Sequence, residues 1–190
     1  MVTVAYVRDV LGRGETAFAI VMAGLGLGST LAAIILGRST GRYEQGANNQ
    51  AVLHGRRHRW TARALLLGGL MLGLLLLPGV LMPPLVVFGL LRILNGAGQA
   101  LIAISSSTLL AEHTVAEERG RAYAAHFALT HACWLITYPA VGHAAARWGA
   151  PITFTAAGIV CLLITAAATV LGRGSRGAHL HDRHNGAISR

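Results

Sequence analysis

The sequence predicts an all-α, polytopic membrane protein with about five transmembrane helices, and three observations support that fold class. Hydrophobic residues make up 54% of the 190 residues, and charged residues only 12%. The mean hydropathy is +0.56, whereas a soluble domain carries roughly 25% charged residues. The apolar residues are gathered in uncharged runs of about 20 residues, the length that a helix needs to cross the hydrocarbon core.

Each predicted helix is an apolar run bounded by charged residues or by proline. The first run lies between Glu15 and Arg38. A later uncharged run is interrupted by PGVLMPP (78–84), and because proline ends helices, this run forms a hairpin of two helices. The predicted bundle covers 16–172, with helices at about 16–37, 62–79, 84–110, 122–146 and 149–171.

The distribution of arginine predicts the orientation of the bundle. All sixteen basic residues are Arg. Twelve lie in loops or the tail on one side of the predicted membrane, three lie on the other, and Arg92 lies within a predicted helix. Cytoplasmic loops carry the excess of positive charge, so we expect a cytoplasmic C-terminus in the plasma (inner) membrane. The net charge of +9 would suggest a nucleic-acid partner in a soluble protein. In a chain this apolar, we expect the lipid bilayer as the partner and expect no nucleic-acid partner.

The two ends of the chain lie outside the predicted bundle. Residues 1–15 have no signal-peptide pattern, and their first seven residues resemble the end of a preceding helix, so we expect an external segment left from a lost helix. Residues 173–190 are polar and Gly-rich, which predicts a disordered cytoplasmic tail. Its three histidines could bind a metal, although flexible ligands lack groups to orient them. They are His179, His181 and His184.

Arg92 is unusual because it lies about eight residues inside the third predicted helix, where a central arginine costs about 2.5–3.5 kcal/mol on insertion scales. Asn95, Gly96 and Gln99 follow at helical spacing on the same face. Such a polar stripe must face protein or water. Arg92, Asn95 and Gln99 are therefore candidates for lining a solute or proton pathway. The structural alternative is an arginine that binds backbone carbonyls of a neighbouring helix.

The fourth predicted helix has a second polar and aromatic face. His126 and Thr130 lie on one strip of this face, and His131 and Trp134 lie on the adjoining strip. Histidine titrates near neutral pH, so His126 or His131 could carry a proton or contact a cation. The alternative is that these side chains only form hydrogen bonds between helices.

The remaining candidates concern packing and the connecting loop. Small residues allow membrane helices to approach closely, and we predict that role for Gly24, Gly26, Gly28, Gly96 and Gly98. A cytoplasmic loop follows the third helix, and its charged residues can pair across helix ends: Glu112, Glu118, Arg119 and Arg121. No catalytic triad, paired-carboxylate site or phosphate loop is visible, so neither an enzyme nor a cofactor is expected.

The motif LRILNGAGQA (91–100) is similar to the R-x-x-q-G-x-g-x-A signature of the major facilitator superfamily (MFS). AEERGRAYA (116–124) resembles the acidic Arg-Gly-Arg loop that follows it. YVRDVLGRGETAFAIVMAGLGLGS (6–29) resembles the junction of the first two helices of a C-terminal half, and AHFALTHACWLITYPAVGH (125–143) is similar to efflux members. One departure is that GRSTGRYEQG (37–46) lacks the Asp of the family's G-x-L-a-D-r-x-G-R loop, which leaves gating undefined.

The resemblance implies the C-terminal half fragment of a secondary active efflux permease. Its substrate would be a small solute, drug or metal cation, and its partner would be the missing N-terminal half. The alternative is a truncated, non-transporting membrane remnant or a half-transporter that needs a partner half.

Overall fold

The computed structural model describes the backbone of residues 2–44 and 50–188, and the side chains of residues 3–38 and 60–171. Within these ranges every regular element is helical. The long helices are α2 (Glu15–Glu44), α3 (Gln50–Leu76), α4 (Leu85–His113), α5 (Arg119–Trp148) and α6 (Ala150–Ile188). Shorter elements are α1 (Val2–Ala5), a π-helical turn (Tyr6–Val10) and the 3-10 turns Leu77–Leu81 and Ala116–Glu118.

The five long helices coincide with the five predicted apolar runs, but several extend further. α2 and α3 continue into the basic segment that was predicted as a loop, and α6 continues to Ile188, where the composition predicts a disordered tail. No proline occurs in 38–61 or 171–188, so nothing there removes a backbone donor. The end of an apolar run predicts where a helix leaves the bilayer, but the helix itself can continue beyond that residue.

In the part of the chain that the structure describes, four helical segments are long and apolar enough to cross a membrane: Glu15–Arg38, Trp60–Leu81, Leu85–His113 and Ala150–Leu171. The 30-residue α5 has the length for a span, but its histidines and threonines make it less apolar than the other four. The protein is therefore a multi-pass, all-α membrane protein.

Short connections make successive helices antiparallel, so the connections gather at two ends of the bundle. One end, here called the Gly149 end, contains residues 11–14, the turn 77–84 and Gly149. Gly149 joins α5 directly to α6 with φ of +83°, a backbone conformation that glycine adopts without steric cost. The starts of α2, α4 and α6 therefore lie together.

Glycines bring the helices of the bundle into close contact. A methyl group at Gly28 would clash with the backbone carbonyl of Ile93, and one at Gly96 would clash with the carbonyl of Leu25. Gly24 lies on the same side of α2, where an added Cβ would be 3.1 Å from Ile93 Cγ1. The α2–α4 contact also contains a hydrogen bond of 3.0 Å from Ser29 Oγ to the carbonyl of Gly96.

The other glycine contacts join α3 to α4 and to α6. A Cβ on Gly98 would meet Met71 Cβ at 3.1 Å, and one on Gly158 would meet the Gly73 carbonyl at 2.8 Å. Gly26 is different, because nothing lies within 4 Å of its added Cβ. It is two residues from both Gly24 and Gly28, which places it on another side of α2, away from the contact with α4.

Candidate functional site

The side chain of Arg92 is buried among aromatic rings at the Gly149 end of the bundle. Its exposed fraction is 8%. Its Cζ atom lies 5.1 Å from the ring centroid of Phe88 and 4.6 Å from that of Phe154. Both distances are within the range of a cation–π interaction, which is strongest when the cation is desolvated.

Tyr6 completes this group, which we call the Arg92 cluster (Tyr6, Phe88, Arg92 and Phe154). The Tyr6 ring stacks on Phe88 with centroids 4.4 Å apart, and meets Phe154 edge-on at 5.6 Å. Phe88 and Phe154 also meet edge-on, at 5.9 Å. The cluster therefore joins the π-helical turn, α4 and α6.

The way in which α4 and α6 begin positions these side chains in the cluster. Pro84 precedes α4 in an extended conformation, and its carbonyl accepts the first helical hydrogen bond from the Phe88 N–H, at 2.9 Å. Arg92 is one turn further along, so the two side chains are neighbours on one helix face. Phe154 lies in the first turns of α6, directly after the Gly149 junction.

Three polar groups in or beside the Arg92 cluster have no hydrogen-bond partner within the described residues. The Tyr6 hydroxyl and the Asn95 Nδ2 atom are buried and unpaired. The described side chains and backbone also supply the Arg92 guanidinium with no carboxylate and no hydrogen-bond acceptor. Burial raises the pKa of the Tyr6 phenol, which precedes the first candidate span, so the hydroxyl keeps its proton. A buried unpaired polar group costs about 1–3 kcal/mol.

The polar stripe on α4 is divided into a buried part and an open part. Arg92, Asn95 and Gly96 are buried, whereas Gln99, one turn further, is exposed. Ala103 is exposed on the same face. Phe154 lies at Arg92 and α2 packs against Gly96, so the covered part of the stripe ends before Gln99.

The inward face of α5 contacts the bundle only near its two ends. At one end, the Tyr123 hydroxyl donates a hydrogen bond of 3.1 Å to the carbonyl of Ser107 on α4. At the other end, Val141 and Ala145 pack against the core cluster that includes Phe88. Helical spacing places all three α5 residues on one face.

Between these contacts, the same face of α5 is open. Trp134 and Tyr138 are exposed, with ring centroids 6.0 Å apart. His131, also exposed, continues this series with its ring 5.0 Å from Trp134 and 3.8 Å from Phe127. The exposed His126 and the half-buried Thr130 lie beside them, and Thr130 Oγ1 donates to the His126 carbonyl at 2.8 Å.

The charged turn between α4 and α5 stabilises the end of α4. Arg119 Nε donates to the carbonyl of Thr114 and Arg119 Nη2 to that of Ala111, both at 3.4 Å. A cation at the C-terminus of a helix also interacts favourably with the helix dipole. Glu112, Glu118 and Arg121 are exposed around this turn.

The predicted tail histidines, His179, His181 and His184, lie outside the part of the chain whose side chains are described. In the part that is described, no three His, Cys, Asp or Glu side chains come together as metal ligands.

Sequence reasoning missed the three aromatic residues of the Arg92 cluster. An aromatic residue one turn before a membrane arginine is a signal that could have found Phe88. Tyr6 and Phe154 lie far from Arg92 in the sequence, and only the tertiary structure brings them together.

No curated protein and no solved structure matches this chain. The family model described as Major Facilitator Superfamily matches residues 1–187, which is nearly the whole sequence. Together with the helical bundle and its apolar spans, this match shows that the chain belongs to the major facilitator superfamily of membrane transporters.

Proposed function

We propose that this transporter is a secondary active efflux permease whose solute path runs between α4 and the middle of α5. The observation that carries the proposal is the open inward face of α5 between its two contacts with the bundle. Phe127, His131, Trp134 and Tyr138 are exposed there. At one end of that face the Tyr123 hydroxyl bonds to α4, and at the other end Val141 and Ala145 pack against the core cluster.

The two contacts of α5 also indicate which part of α4 lies opposite this open face. Tyr123 meets Ser107, and Val141 packs against the core cluster that includes Phe88. The two segments between these contacts have nearly equal lengths, about 27 Å at 1.5 Å per residue. α5 therefore lies antiparallel beside α4, and its open middle faces the segment of α4 that contains Gln99.

The residue types on the two faces suit a polar solute. Gln99 offers an amide, and Thr130 offers a hydroxyl. His126 and His131 are our candidates for coupling efflux to a proton gradient, because an imidazole is a side chain that can carry a proton. These polar side chains would be energetically costly if they faced lipid, and that cost is absent if they line a water-filled path.

Thiol labelling tests the position of the path. We would replace both natural cysteines, Cys133 and Cys161, with serine, and then introduce Ala103→Cys on the polar face of α4 or Leu94→Cys on its opposite face. Both positions are exposed in the bundle. We expect a charged, membrane-impermeant thiosulfonate to react at position 103 at least tenfold faster than at position 94.

A lipid-soluble maleimide is the matched reagent, and it should reverse this preference. Equal rates at both positions with the charged reagent, or faster reaction at position 94, would remove the proposed path.

A further inference from the structure

The unpaired groups around Arg92 have a common chemistry, because each can donate a hydrogen bond. A guanidinium has only N–H donors, an amide nitrogen has two, and a phenol has one. Arg92 is 8% exposed, Asn95 is 3% exposed and Tyr6 is fully buried. A ligand that satisfies these groups must therefore supply acceptor oxygens.

Among the side chains that the structure describes, no acidic one contacts Arg92. The seven acidic residues of the chain lie at or beyond the ends of the candidate spans: Asp9, Glu15, Glu44, Glu112, Glu117, Glu118 and Asp182. The five in the described part of the chain are exposed, and Asp9 pairs there with Arg8 at 2.8 Å. The buried guanidinium therefore has no counter-charge within the described side chains.

The aromatic rings restrict how such an anion can approach. Phe88 and Phe154 both present ring faces to the Cζ atom of Arg92, and their planes are inclined by 66° to each other. An anion must therefore approach the guanidinium from a side that neither ring occupies. A carboxylate matches the edge of a guanidinium with two parallel hydrogen bonds. Asn95, one turn away on α4, adds an unpaired amide donor on the inner side of Arg92.

We propose that Arg92 and Asn95, with Tyr6 in the adjoining aromatic cluster, form a recognition site for the carboxylate of the transported solute. The proposal rests on the proposed transport function and narrows its substrate class to small organic anions with an apolar or aromatic body. The rings of the cluster suit that body, and the fixed positive charge of Arg92 disfavours a metal cation.

Binding of simple probes to the full chain tests this site. The protein would be placed in phosphatidylcholine nanodiscs at pH 7 and titrated calorimetrically with benzoate, benzamide and benzylamine, which share one ring and differ in charge. We expect benzoate to bind at least tenfold more tightly than the other two. Equal binding of benzamide and benzoate would overturn the proposal.

Two arginine variants separate the site from general electrostatics. Arg92→Gln should weaken benzoate binding at least tenfold, whereas Arg147→Gln, which removes an exposed charge at the same end of the bundle, should leave it unchanged. Unchanged binding in Arg92→Gln, or an equal loss in both variants, would overturn the assignment.

The variant Asn95→Asp distinguishes a specific loss of benzoate binding from a loss caused by misfolding. The new carboxylate lies one turn from Arg92 and should pair with it, so benzoate affinity should fall at least tenfold while the thermal midpoint does not fall. Undiminished benzoate binding in this variant would contradict the proposal.

A lipid phosphate is the other possible source of the anion. Phosphatidylglycerol that raises the thermal midpoint of wild type but not of Arg92→Gln, without any benzoate binding, would assign the site to lipid and refute a solute site. Benzoate that binds without being transported in proteoliposomes would refute the efflux function and leave the site standing. Transport of neutral solutes that does not depend on Arg92 would refute the carboxylate site and leave the efflux function standing.

Discussion

The contact between α2 and α4 gives the sharpest test of the fold, because two glycines two residues apart should respond in opposite ways to the same substitution. Gly28→Ala places a methyl group against the backbone carbonyl of Ile93, and a backbone atom cannot rotate away as a side chain can. The helices must separate, which also stretches the 3.0 Å hydrogen bond from Ser29 to Gly96. Gly26→Ala meets open space.

The expected cost follows from these contacts. Overpacking of a close contact costs about 1–3 kcal/mol, and the interhelical hydrogen bond adds about 0.6 kcal/mol if it is lost. Alanine has a higher helix propensity than glycine, which stabilises either variant by about 1 kcal/mol. Gly28→Ala should therefore be destabilised by about 0.6–2.6 kcal/mol, whereas Gly26→Ala should be as stable as wild type or slightly more stable.

Reversible unfolding in mixed micelles, followed by circular dichroism as the fraction of dodecyl sulfate rises, measures both variants against wild type. The reasoning fails if Gly28→Ala unfolds at the same detergent fraction as Gly26→Ala. It also fails if both variants are destabilised equally, since only one of the two sites has a close neighbour.

Two further predictions concern the ends of the bundle. Tyr123→Phe removes the hydroxyl that joins α5 to the Ser107 carbonyl, so the same unfolding assay should report a loss of about 0.6 kcal/mol; the exposed Tyr138→Phe is the control, and an equal effect in both would contradict the contact. A fluorescent reporter fused after Arg190 should be fluorescent and an alkaline phosphatase fused there inactive, because the arginine-rich loops predict a cytoplasmic C-terminus; active phosphatase would reverse the predicted orientation.

The aromatic surroundings of Arg92 explain how an apolar helix accommodates a guanidinium. A desolvated cation–π contact contributes about 2 kcal/mol, and Arg92 has two. A central arginine costs about 2.5–3.5 kcal/mol on insertion scales, so the rings offset a cost of the same size. The rings contact the guanidinium and supply no oxygen acceptor to its N–H groups, which is why the cluster can be stable and still bind a ligand.

The sequence predicted the membrane class and the five helical runs because both depend on composition and on the length of uncharged segments. Arg92 was identified in the same way, since one charge in a long apolar run is visible without coordinates. The predicted stripe is only partly continuous in space: Asn95 is buried with Arg92, whereas Gln99 is exposed. Helical spacing fixes which face a residue shares, but it does not show which neighbour covers that face.

The sequence by itself determined that this protein is an all-α, multi-pass membrane protein and resembles a facilitator, because apolar length and local motifs are properties of contiguous residues. Only the tertiary structure decided that Phe154 contacts Arg92 and that Tyr6 packs on Phe88 and Phe154. It also decided that Gly28 has a close neighbour and Gly26 has none, and that α5 is open in its middle. Those features depend on contacts between segments far apart in the chain, and the pattern along one helix carries no information about its partner.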